Sequence, residues 1–123
     1  MNSTELKRRT MDFAVSIIKM ADLLPNKQVG WTISNQIIRS STSVAANYRA
    51  VCRAKSDKDF VYKMSIVIEE ADETMFWIEL IKNIGVVKNT ELLNTLQLEA
   101  NELVAIFTSS AKTVKSRLNR IKF

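Results

Sequence analysis

Residues 36–50 read QIIRSSTSVAANYRA. The run from Gln36 to Ala50 has no glycine or proline, and its apolar residues fall at helical spacing. Ile33, Ile37, Val44, Tyr48 and Val51 lie three, four or seven positions apart, one face of a helix, thinned at Ser41. The small side chains beside that face let a neighbouring helix come close, because side-chain size at the contact sets the interaxial distance. An adjacent stripe carries Gln36, Arg39 or Ser40, Ser43, Asn47 and Ala50. Polar groups in a tight contact cost free energy unless they are hydrogen-bonded. Gln36, Arg39 and Asn47 therefore need partners across the contact.

The same period extends outward in both directions. Leu6, Thr10, Phe13, Ile17, Met20 and Leu24 form a stripe before it, with Ser3 or Thr4 placed to cap its start and Pro25 to end it. Asn26 to Gly30 read as a connection, and the second helix is predicted from about Trp31 to Ala54. Ser56 and Asp59 then have the spacing of a capping box, with Asp in place of the usual Glu or Gln. Phe60, Met64, Val67, Ala71, Thr74, Ile78 and Ile81 make the third stripe, and Gly85 suits a left-handed C-terminal cap. The last helix opens at Asn89 or Thr90. Its stripe is Leu93, Leu96, Ala100, Leu103, Phe107, Ser110 and Val114, continuing to Leu118 and Ile121.

Four helices joined by short connections make sequential helices antiparallel neighbours. The sequence thus predicts an all-α fold, an antiparallel up-down-up-down four-helix bundle, with residues 1–123 as one domain. Only two glycines and one proline are present, which argues against a β-rich or loop-rich chain.

The chain has no histidine. That excludes Ser-His-Asp and Cys-His nucleophilic systems and His-containing metal sites. Glu69, Glu70, Asp72, Glu73 and Glu79 crowd one helix, but a di-iron carboxylate bundle also needs Glu-x-x-His motifs. No metal, no cofactor and no enzymatic activity are expected. One or two of those acids are expected to pair instead with Arg39 or Arg49 across the bundle. Cys52, the single cysteine, reads as a small apolar filler. Without a signal-like start or a membrane-length apolar run, the chain is expected to be soluble and cytoplasmic.

The net charge of +5 is segregated. Residues 1–55 carry net +6, residues 56–102 net −6 and residues 103–123 net +5. In an up-down bundle the second and fourth helices finish where the first and third begin. Three basic sets then meet at one pole: Lys7-Arg8-Arg9; Arg49, Arg53, Lys55 and Lys58; and Lys112, Lys115, Arg117, Arg120 and Lys122. Such a pole is a surface for a polyanion, or one half of a charge-matched contact between subunits. Phe76 and Trp77 cannot both face one core, so one of them is expected to face a partner subunit.

The run from Gln36 to Arg49, followed by Arg53-Ala54, Asp59-Phe60, Lys63-Met64, Glu69-Glu70-Ala71, Glu73-Thr74, Trp77 and Glu79-Leu80, resembles the bacterial four-helix-bundle proteins encoded in 23S rRNA intervening sequences. The accessory variability determinant of diversity-generating retroelements is a relative of that family. Many members read Asn-Ile-Ala-Glu-Gly where this chain has Asn47-Tyr-Arg-Ala-Val51, which puts it in a different branch.

The resemblance implies a homopentameric barrel of bundles with a basic surface or central channel, and, from the retroelement relative, a nucleic-acid-binding partner of a reverse transcriptase. It also implies that Gln36, Arg39, Ser43, Asn47 and Glu70 are structural. The expected function is therefore a non-enzymatic, oligomeric accessory protein. RNA or DNA phosphates would meet Arg49, Arg53, Lys55, Lys112, Lys115, Arg117 and Arg120. The alternative is a protein-interaction scaffold with no direct nucleic-acid role.

Overall fold

In the computed structural model, which describes residues 1–121, four α-helices follow one another: α1 (Ser3–Ala21), α2 (Gln28–Val51), α3 (Asp57–Ile84) and α4 (Thr90–Ile121). Among the described residues there is no strand. Each helix packs on its neighbours in sequence, and α1 also meets α4, the thinnest of the four seams.

Local chemistry explains the ends of the helices. Asn2 caps α1, its side chain accepting from the Glu5 N–H at 2.9 Å, one position before the expected Ser3. The helix stops at Ala21, short of Pro25, and Leu24 packs against the core from outside it. Ser56 caps α3 by accepting from the Asp59 N–H at 3.0 Å. The return bond of the capping box goes one residue further back: Asp59 Oδ2 accepts from the Lys55 N–H at 3.1 Å. Gly85 closes α3 at φ 77°, the left-handed position where a side chain is disfavoured. Asn89 starts α4, accepting from the Leu92 N–H at 3.1 Å.

The start of α2 differs from the sequence expectation by three residues. Gln28, Val29 and Gly30 are helical, with Lys27 as an N-cap that makes no side-chain bond. Gly30 is buried there, and a Cβ on it would sit 1.7 Å from the Pro25 carbonyl oxygen. The residue read as part of a turn is needed because the backbone before α2 passes directly over the helix.

The stripes meet in one core. Phe13, Ile17 and Met20 of α1, Ile37 and Val44 of α2, Met64, Val67 and Ile78 of α3, and Leu93, Leu103 and Phe107 of α4 are all buried. Tyr48 stacks on Phe107 with ring centroids 5.6 Å apart. On α4 the stripe drifts by one residue near its end, so that Ala111 is buried and Ser110 only half-buried. The buried hydroxyls are accommodated locally. Thr10 donates to the Leu6 carbonyl at 2.8 Å, and Thr74 Oγ1 lies 2.8 Å from Ser40 Oγ across α2 and α3.

Contacts along α2–α3 and along α3–α4 run in opposite order. Arg39 meets Glu70 while Tyr48 and Phe60 line one cleft, and Arg117 meets Asp57 while Lys82 meets Gln97. This order is compatible with an up-down-up-down bundle. Among the described residues, no helix is long and apolar enough to cross a membrane.

Candidate nucleic-acid interface

The polar stripe of α2 divides into two parts. Arg39 reaches α3, donating from Nη1 to Glu70 at 2.9 Å and from Nη2 to Glu73. Gln36 Oε1 stands 3.5 Å from Arg39 Nε, at the edge of hydrogen-bonding distance. Trp77 adds a further donor, its indole N–H reaching Glu73 at 3.1 Å. The Arg39 guanidinium and the Trp77 indole hold the Glu73 carboxyl below the usual carboxylate range. Ser43 and Asn47 stand apart: Asn47 Nδ2 donates to the Ser43 carbonyl at 2.8 Å, a bond within α2 itself.

The ion pair is not sealed in the contact as the small-residue pattern suggests. The Arg39 side chain is 46% exposed, so the cluster lies along the rim of the α2–α3 seam. Glu73 and Trp77 are members that the α2 stripe could not reveal. Their signal was on α3, where an acid precedes an indole by four residues on the face beside Thr74.

The basic residues are set by the helix ends. Ser3 of α1, Val51 at the end of α2, Cys52 just after it, and Asp57 and Phe60 of α3 line one cleft of about 390 Å³, together with Lys55. Lys58 of α3 and Lys115, Leu118 and Asn119 of α4 line another of about 330 Å³. The starts of α1 and α3 thus lie beside the ends of α2 and α4. Arg49, Arg53, Lys55, Lys112, Lys115, Arg117 and Arg120 are all exposed. Lys122 of the third basic set lies outside the described residues.

These cations are not equivalent. Arg117 is tied to Asp57 by two bonds of 3.2 Å, which lower the Asp57 carboxyl below its ordinary value. Asp59 is lowered by the Lys55 N–H and by Lys63, whose Nζ is 3.0 Å away. Arg9, in the first basic set, is turned away to α4, where it meets Glu99 at 2.7 Å and Glu102 at 3.2 Å. Arg49, Arg53, Lys55, Lys58, Lys112, Lys115 and Arg120 make no ion pair among the described residues. Lys58 joins them through its cleft with Lys115, a pairing across two helices that the grouping by sequence segment could not specify. Lysines facing one another without a carboxylate between them attract an anion, because each raises the local potential.

Among the described residues no three acidic or cysteine side chains converge closely enough to hold a metal ion. Cys52 is half-buried and unbonded to another cysteine. Burial pushes the Tyr48 phenol upward, so it stays protonated beside Cys52.

Comparison with known proteins agrees with this architecture. Residues 2–109 match the family described as 23S rRNA-intervening sequence protein. No curated protein matches the chain. Among solved structures, a protein with unknown function from the S23 ribosomal protein family of Bacteroides thetaiotaomicron VPI-5482 is 32% identical. Its superposition has a TM-score of 0.81 and covers 91% of this chain and 99% of that one.

Proposed function

The chain belongs to the 23S rRNA-intervening sequence protein family, and from that premise we propose that it is a non-enzymatic accessory protein that binds the phosphate backbone of RNA or DNA at its basic pole. The observation that carries this reading is the cleft shared by Lys58 and Lys115, flanked by exposed cations from the ends of α2 and α4. Arg49, Arg53, Lys55, Lys112, Lys115 and Arg120 contact phosphates. Arg117 contributes less, because Asp57 already neutralises it.

In this reading the molecule is an up-down-up-down bundle that assembles as a homo-oligomer, a pentamer by likeness to its family. Poles repeated around a ring engage one nucleic acid at several points, which raises avidity without any new contact. Partnership with a reverse transcriptase, as in the retroelement relative, is the finer form of the same proposal.

Binding through phosphates releases counterions, so affinity falls steeply with salt, by roughly 10³-fold or more between about 50 and 200 mM for six or more contacts. The test is binding of labelled single- and double-stranded RNA and DNA across a salt series. Combined Arg53→Glu, Lys55→Glu and Lys115→Glu substitution is expected to abolish binding while leaving the helical circular-dichroism signal intact. Unchanged affinity would remove the pole from the reading. Absence of any binding by the wild-type protein would favour an acidic protein partner.

A further inference from the structure

Two aromatic rings of α3 are open to solvent, Tyr62 at 66% and Phe76 at 54% exposure. Phe76 has an aromatic partner: it meets Trp77 edge to face, with ring centroids 4.9 Å apart. Tyr62 pairs with no ring among the described residues. A single exposed ring is ordinary on a surface, so its neighbours decide what it can do. Lys58 stands four positions before Tyr62, which puts the two on one face of α3 with Cβ atoms roughly 5–6 Å apart. Helical side chains lean back over the turn that precedes them, which favours a Tyr62 ring lying toward Lys58 and the pole.

Lys58 in turn shares its cleft with Lys115, Leu118 and Asn119 of α4. The carboxylates beside it are already occupied. Asp59 meets Lys63 at 3.0 Å and the Lys55 N–H at 3.1 Å, and Asp57 meets Arg117 at 3.2 Å. Lys58 and Lys115 themselves make no ion pair among the described residues. An unpartnered ring thus stands one helical turn from two ammonium groups that nothing neutralises.

We infer that Tyr62 is a stacking platform for an unpaired base, and that the polyanion taken by the pole is a single strand of RNA or DNA; this rests on the nucleic-acid reading above and narrows it. Phosphate alone would need only the lysines. A duplex covers the faces of its bases, whereas a single strand leaves them free, and sites that hold single strands without sequence preference set aromatic rings beside a cationic track. Each nucleotide carries its base and its phosphate on one sugar, so a phosphate held between Lys58 and Lys115 leaves its base beside the ring. Glu69, seven positions after Tyr62 on the same face, is exposed and has no ion pair among the described residues. Its charge repels phosphate and confines the strand to the pole side of Tyr62. The strand therefore leaves the ring toward α4 and does not continue along α3 to Phe76.

The test uses the full chain and three labelled probes at matched salt: an oligothymidylate, an abasic strand of the same length, and a blunt duplex. The abasic strand keeps the phosphates and lacks the bases. The wild-type protein is expected to bind the oligothymidylate more tightly than either of the others. Tyr62→Ala is expected to weaken oligothymidylate binding by about 5- to 150-fold, as loss of one stacked base does, and to leave the abasic strand and the duplex unchanged. Tyr62→Phe keeps the ring and is expected to bind as the wild type does. Lys58→Gln is expected to weaken all three probes and to lower the salt slope by roughly one. Circular dichroism checks that the variants fold. A Tyr62→Ala variant that loses the abasic strand equally, or that loses nothing, would overturn the platform. So would a wild-type protein that prefers the duplex, although phosphate binding at the pole would then stand. A wild-type protein that binds none of the three probes would overturn the platform and the nucleic-acid reading together.

Discussion

Glu73 accepts from two donors of different kinds, a guanidinium on α2 and an indole on its own helix. Both favour the charged carboxylate, and its folded-state pKa is accordingly depressed. A depressed carboxylate contributes stability above its unfolded pKa and loses it as pH falls through the folded value. The unfolded value is about 4.3, so the loss begins near that pH and continues below it. Asp57 and Asp59 act in the same direction. Replacing Glu73 with Gln is expected to lower stability at neutral pH and to matter less at about pH 3, which lies below the unfolded value. Urea denaturation at the two pH values measures this, and an equal difference at both would refute the electrostatic account.

At the scale of the element, the most demanding position is the first turn of α2. The Pro25 carbonyl occupies the space where a Cβ of Gly30 would be. Since the obstacle is backbone and cannot rotate away, Gly30→Ala is expected to cost about 2–3 kcal/mol, as overpacked core sites do, with a matching fall in thermal midpoint. Ser56→Ala removes the cap of α3 and is expected to cost about 1 kcal/mol in the same measurement.

These positions also mark the limit of what was legible in the sequence. The stripes of α1, α3 and α4 could be read because burial follows helical period, and Met64, Val67, Ala71, Thr74, Ile78 and Ile81 are all buried as spaced. The start of α2 could not, because a glycine after a proline also fits a turn, and only the fold shows the chain crossing over it. Arg39 was legible as a residue needing an acid. One or two of the α3 acids were expected to supply that pairing with Arg39 or Arg49; that they are Glu70 and Glu73, both on Arg39, and that the Trp77 indole stands behind Glu73, was not legible, because a partner on another helix depends on the register between helices. Ser43 and Asn47 fit the polar stripe by spacing, yet their bond is within the helix, an option always open to Asn. At the pole, helix direction gathered the right ends, while the tie between Arg117 and Asp57 and the departure of Arg9 toward Glu99 depended on side-chain geometry.

For the whole molecule, the ring of four helices is held unevenly. The α1–α4 seam has the fewest close approaches, and Arg9 spans it with a bidentate bond to Glu99. Arg9→Ala is expected to speed hydrogen exchange along α1 well before α3, because the least-supported unit opens first. Mass-resolved exchange by segment would show it, and uniform acceleration of all helices would contradict it. At the pole, two helix starts and two helix ends stand together. The partial positive charge at a start and the partial negative charge at an end are of similar size, so four of them largely cancel. The backbone therefore adds almost no field of its own there, and the sign and strength of the surface belong to a few exposed lysines and arginines. Those residues are exposed, so exchanging them can weaken, remove or reverse the charge of the pole while the buried stripes stay the same. One scaffold can in this way carry poles of different charge.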